Sequence, residues 1–161
     1  MITTTIDEIL NLAEKIEKLG LIYYEKSAEN CNLSQESSDL LNFLKNEEAE
    51  HAEKFSDIKK KLDNKILNYK VQMKVSDRQM ELFNQENFMN KIEKILKSIC
   101  NSESEYDIIK ASIKFEKETY QFYKNLSEHL KSIKLKNIID KLAEEELEHV
   151  NLLNRLKVIY R

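Results

Sequence analysis

Apolar residues along the chain recur at steps of three and four, the spacing of one face of a helix. Four long stretches carry this stripe. The first reads Ile6, Leu10, Ala13, Glu17, Gly20, Tyr24, and the second Leu41, Leu44, Glu48, His51, Phe55, Ile58, Leu62. The third reads Ile109, Ser112, Glu116, Thr119, Tyr123, Leu126, and the fourth Ile139, Leu142, Glu146, His149, Leu153, Leu156, Tyr160. Start signals agree with the stripes. Thr5-Ile6-Asp7-Glu8 has the capping-box form, in which Thr5 and Glu8 each satisfy an end amide, and Ser102 to Glu105 repeats it. The pattern predicts helices from Thr5 to about Asn30, from about Ser37 to Asn64, from Ser102 to about Lys131 and from about Lys134 to Tyr160. The polar segment Cys31 to Ser37 reads as a turn. Residues 65–101 are less regular: Ser76 to Gln79 offers a further capping box, and Phe88, Ile92, Ile95, Leu96 and Ile99 mark an amphipathic helix. The expected fold is all-α, one domain over residues 1–161: a helical hairpin at 5–64, a crossover with short helices at 65–101, and a second hairpin at 102–160.

Composition narrows the classes. The 161 residues include one Gly, Gly20, and no Pro or Trp. Sandwiches and barrels draw their many turns from Gly and Pro, and phosphate-cradling loops need several glycines, so both are excluded. A balance of 26 Lys+Arg against 29 Asp+Glu, net −3, is too neutral for a protein built to grip nucleic-acid phosphates. The basic stretch Lys54 to Lys74 mixes its lysines with Asp57, Asp63 and apolar residues, and reads as a solvated face. No apolar run approaches a membrane span, and MITTTIDEIL lacks the basic start and apolar core of a signal peptide, so a cytoplasmic protein with no membrane contact is expected. Cys31 and Cys100 cannot form a four-thiolate metal site and read as two reduced thiols.

The two hairpins repeat each other. Leu44-x-x-Glu47-Glu48-x-Glu50-His51 returns as Leu142-x-x-Glu145-Glu146-x-Glu148-His149, and Glu17-Lys18 followed by Tyr23-Tyr24 returns as Glu116-Lys117 followed by Phe122-Tyr123. Glu17 precedes His51 by 34 residues and Glu116 precedes His149 by 33. An internal duplication ties four separate segments into one architecture. In that frame every stripe is apolar except at mid-length, where each helix aims a carboxylate at the core and two of them add a His one turn on. An ionised carboxylate in an apolar interior costs several kcal/mol unless compensated. Two divalent cations cancel four Glu charges and leave His51 and His149 neutral. Glu is abundant, 22 of 161 residues, so one Glu-x-x-His is a weak signal. Two of them in register with the apolar seam and inside a duplicated motif are not. Glu47 rivals Glu48 for the same face, but its own stripe would put Lys54 inside. His129 has no such Glu partner and reads as a surface or structural histidine. Tyr24 and Tyr123, seven residues after Glu17 and Glu116, are either core aromatics or hydrogen-bond partners of a ligand carboxylate. Gly20 either leaves room for a small oxidant or lets helices pack closely.

With these residues the chain resembles the rubrerythrin-like branch of the ferritin-like superfamily, along essentially its whole length. The motifs that carry the resemblance are Glu17…Glu48-x-x-His51 and Glu116…Glu146-x-x-His149. One Glu from each of two helices and Glu-x-x-His from each of the other two is the ligand pattern of such di-iron and di-manganese bundles. The resemblance implies a four-helix bundle with a long crossover between its second and third helices. It also implies two iron ions per chain bound by Glu17, Glu48, His51, Glu116, Glu146 and His149, with manganese or zinc able to occupy the same ligands. Glu48 and Glu146 are the natural bridging residues, each sharing a helix with a His. The family includes dimeric peroxide reductases that protect anaerobic or microaerophilic microbes. The implied partners are therefore hydrogen peroxide or dioxygen, a second copy of the chain, and an external electron donor such as rubredoxin. Ferroxidase or iron handling, and a metal-stabilised structural helical module, are the alternatives. Two departures stand out. Rubrerythrins proper carry a four-cysteine iron domain, which this chain cannot form, and a further glutamate three residues after the third-helix ligand, where this chain has Thr119.

Overall fold

The computed structural model describes residues 2–29, 33–77, 79–80, 86, 90, 94 and 105–159. Four long helices form the body: α1 (Ile6–Ala28), α2 (Gln35–Lys61), α4 (Glu105–His129) and α5 (Ile133–Ile159), with a short α3 (Asn64–Leu67) after α2. α1 and α2 form one antiparallel hairpin, α4 and α5 the other, and the hairpins meet through α1 against α4 and α2 against α5. No described helix is long and apolar enough to cross a membrane.

The ends of the elements follow local chemistry. Thr5 caps α1 as a complete box: its hydroxyl accepts from Glu8 N at 3.1 Å, and the Glu8 carboxylate accepts from Thr5 N at 2.9 Å. Ser34 caps α2 by accepting from Ser37 N at 3.2 Å, and it also ties the hairpins together. Its own N–H and hydroxyl both donate to Glu105 Oε1, at 2.9 and 2.7 Å, at the start of α4. α2 ends at Lys61, three residues before the expected Asn64, because Asp63 accepts from Ile66 N and starts α3. Ser76 and Gln79 form the capping box read from the sequence, with bonds of 3.1 and 3.2 Å. Cys31, Cys100, Ser102, Tyr160 and the stripe Phe88, Ile92, Ile95, Leu96, Ile99 lie outside the described residues.

The sequence reading contained no strand. The structure adds a two-stranded antiparallel ribbon at one end of the helical body, β1 (Ile2–Thr5) against β2 (Lys70–Met73), with Thr4 opposite Val71. Val71 and Met73 turn inward and are buried while Lys70 and Gln72 face out. The ribbon carries the chain off α3 and closes the end of the bundle where α1 begins, with Ile6 N bonded to Tyr69 O at 3.0 Å.

Candidate metal centre

Over the described residues each stripe faces inward as its period requires, and each delivers its carboxylate to the same level. Glu17, Glu48, Glu116 and Glu146 are fully buried, and His51 and His149 are 1% and 2% exposed. The six side chains form two overlapping sets: Glu17, Glu48, His51 and Glu146, and Glu48, Glu116, Glu146 and His149. Within each set the potential ligand atoms all lie within 4.8 Å of one another. Glu48 and Glu146 belong to both.

Distances fix which ring nitrogen faces inward. His51 Nδ1 lies 2.8 Å from Glu146 Oε1 and 3.3 Å from Glu17 Oε2. His149 Nδ1 lies 3.2 Å from Glu146 Oε2, 3.4 Å from Glu116 Oε2 and 3.8 Å from Glu48 Oε1. The two imidazoles stack, with centroids 5.7 Å apart and planes 18° from parallel. Their Nε2 atoms point outward to glutamates of the opposite helix: His51 to Glu145 at 2.8 Å and His149 to Glu47 at 3.6 Å. Glu47 is partly exposed and lies outside both ligand sets, whereas Glu48 is buried and belongs to both.

The tyrosines hold carboxylates across the bundle. Tyr24 of α1 donates to Glu116 of α4, and Tyr123 of α4 donates to Glu17 of α1. Each tyrosine lies seven residues after the glutamate of its own helix, but its hydroxyl reaches the glutamate of the other hairpin. Gly20 is a packing residue: a Cβ there would stand 3.0 Å from both Glu48 Oε2 and Phe115 Cε1, so no oxidant-sized space opens at its Cα. Thr119 is buried and donates to Phe115 O at 3.0 Å, bonding to its own helix at the place where a further glutamate was the family's expectation. His129 sits at the end of α4 with Nδ1 2.8 Å from Asn125 O, and belongs to neither ligand set.

Electrostatics single out the same cluster. Burial, and then the charge of Glu17 beside them, hold Glu48 and Glu146 well above the ordinary carboxylate range. Burial also opposes ionisation of Glu116, but contacts with Glu146, His149 and Tyr24 outweigh it and bring it to about 2. Glu17 is likewise lowered, its burial outweighed by Glu48, His51 and Tyr123. Burial pulls the histidines down, yet the carboxylates around them win and raise His51 to about 11 and His149 to about 10. Tyr24 and Tyr123 are pushed well above their ordinary value by burial and by the carboxylates they bond, so both act as neutral donors.

The donor set fits a pair of divalent cations. Glu17 Oε2, Glu48 Oε1, Glu48 Oε2 and Glu116 Oε2 are buried and carry no hydrogen bond among the described residues. Orphaned carboxylate oxygens in a dry core are costly, and here they converge with two inward Nδ1 atoms. Oxygen and imidazole donors suit iron, manganese or zinc.

Residues 107–158, which span most of α4 and α5, match the Rubrerythrin family model. The chain is also similar to a solved structure described as a ferritin-like diiron-carboxylate protein from Thermotoga maritima, with 19% identity and a TM-score of 0.69. That alignment covers 98% of this chain and 97% of the other. A search of curated proteins gives no match. The resemblance read from the sequence therefore holds at two levels, with rubrerythrin-like sequence across the second hairpin and a ferritin-like fold across the whole chain.

Proposed function

We propose that this chain is a rubrerythrin-type di-iron protein that reduces hydrogen peroxide with electrons from a separate donor. The observation that carries the reading is the pair of overlapping four-residue sets in a dry bundle core, sharing Glu48 and Glu146. In this reading Glu17 and His51 belong to one iron, Glu116 and His149 to the other, and Glu48 and Glu146 serve both. A ferrous pair held there supplies the two electrons that, with two protons, convert one peroxide to two waters. The surrounding residues set the stage for that chemistry. Tyr24 and Tyr123 hold one oxygen of Glu116 and Glu17, so the other oxygen of each is aimed inward. Buried Leu44 and Leu142, one turn before Glu48 and Glu146, exclude water, which strengthens every charge interaction in the cluster. Thr119 offers no carboxylate, so the ligand set stays at six residues. In this reading an electron donor such as rubredoxin returns the electrons.

Stopped-flow oxidation of the diferrous protein tests the reading. Peroxide is expected to oxidise it faster than dioxygen, with the iron retained and re-reducible by added rubredoxin. Faster oxidation by dioxygen, with ferric ions accumulating beyond two per chain, would replace this reading with ferroxidase activity.

A further inference from the structure

The duplication that builds the centre is broken around the outer edges of its two histidines. His51 Nε2 donates to Glu145 Oε2 at 2.8 Å, a full hydrogen bond. The equivalent pair, His149 Nε2 and Glu47 Oε2, stands at 3.6 Å, too far for one. The flanking residues differ in kind. Three residues after His51 comes Lys54, whose Nζ lies 3.5 Å from Glu145 Oε2, whereas three after His149 comes Leu152. One turn before Glu145 on its helix is Lys141, whereas one turn before Glu47 is Phe43, whose ring packs edge-on to His149 with centroids 6.4 Å apart. At both equivalent places a cation on the His51 side is replaced by an apolar residue on the His149 side.

An imidazole ligand is oriented by what its other nitrogen bonds, because that bond fixes the tautomer and the ring plane. Glu145 accepts from Nε2 and so leaves Nδ1 of His51 facing Glu17 and Glu146, the nitrogen that offers its lone pair once a cation displaces the proton there. Lys54, 43% exposed in its side chain, braces that carboxylate from the solvent side. Among the described residues His149 has no such bond on its outer edge: Glu47 stands off at 3.6 Å and Phe43 packs against the ring.

We propose that Glu145, braced by Lys54, is a positioning residue for His51, and that the His51 half of the centre consequently binds its cation more tightly than the His149 half. The proposal rests on the di-metal reading of the site but not on the reaction assigned to it.

Anaerobic titration with ferrous ion, without peroxide, tests it on the full chain. Wild type is expected to fill in two unequal steps of one equivalent each. Glu145→Ala should weaken the tighter step by about 10- to 100-fold, and Glu47→Ala should change neither step by more than about threefold. Glu145→Gln keeps an oxygen that accepts from Nε2, and should restore most of the lost affinity. Ring-nitrogen NMR of the zinc-loaded protein supplies a second readout: Glu145→Ala should move the His51 Nε2–H signal and leave that of His149 in place. Glu145 is partly exposed, and melting of the apoprotein variant checks that the bundle is intact. Equal weakening by Glu47→Ala, or no weakening by Glu145→Ala, overturns the proposal. A wild-type chain that takes up fewer than two ions overturns it together with the di-metal reading.

Discussion

Loading the centre with metal should expel about four protons per chain. The count comes from charge balance in a dry core, where uncompensated charge is expensive. Without metal, Glu17 and Glu116 are lowered and carry one negative charge each, while His51 and His149 are raised and carry one positive charge each. Charge balance in the dry core then calls for one proton on each of Glu48 and Glu146, the direction in which burial and neighbouring carboxylates push both. The metal-free cluster is thus neutral. Two divalent ions bound by four carboxylates and two neutral imidazoles are neutral as well. Passing from one state to the other removes one proton each from Glu48, Glu146, His51 and His149. Because His51 and His149 titrate near 11 and 10, all of their share is released at pH 7. The sign follows directly: proton release means that binding tightens as pH rises. The concentration of metal needed to half-fill both positions together should rise by about a hundredfold for each pH unit lost, since two ions displace about four protons. Calorimetric titration with manganese in buffers of different ionisation enthalpy measures the number. A value near four supports the neutral-cluster argument. Release of fewer than about one proton per chain would refute it, because exposed carboxylates, already ionised at pH 7, bind cations without giving up protons.

Further outcomes follow from particular contacts. Gly20→Ala places a methyl against Glu48 and Phe115; the overpacking, about 1–3 kcal/mol, should outweigh the helix-propensity gain of about 1 kcal/mol and lower the melting temperature. Tyr123→Phe strips the hydroxyl from buried Glu17 and should destabilise the apoprotein by about 1–3 kcal/mol in denaturant unfolding. Ser34→Ala removes the α2 cap and one of the two bonds to Glu105, leaving that from the Ser34 N–H, and should cost about 0.5–2 kcal/mol by the same measurement. His129→Ala should leave ferrous uptake unchanged while His51→Ala weakens it by more than about tenfold; similar losses in both would contradict the placement of the site.

The helices and the convergence of six residues were legible because helical periodicity reports which side of a helix faces inward. Glu17, Glu48, Glu116 and Glu146 sit in the middle of apolar stripes, and burying each stripe necessarily buries its carboxylate. Periodicity does not say what lies across the bundle. That is why the spacing marks Tyr24 and Tyr123 as candidate partners of a ligand carboxylate without saying that the carboxylates are Glu116 and Glu17 of the other hairpin. It is also why Glu145 went unnoticed: its role depends on His51, 94 positions away in sequence. The duplicated Glu-Glu pairs did carry a signal, since Glu47 and Glu145 recur one residue before Glu48 and Glu146. The ribbon escaped for a different reason. Its strands are four residues each, and one of them shows only Val71 and Met73 as an alternating inward pair, too little to stand out from a loop.

In the proposed centre four carboxylates and two imidazoles of the bundle core hold a coupled pair of metal ions. Mössbauer spectroscopy of the protein loaded anaerobically with enriched ferrous iron and then oxidised tests it most directly. Saturation is expected at two irons per chain and, after oxidation, a diamagnetic ground state from two antiferromagnetically coupled ferric ions. Saturation at one iron, or isolated paramagnetic ferric ions at full loading, would contradict it.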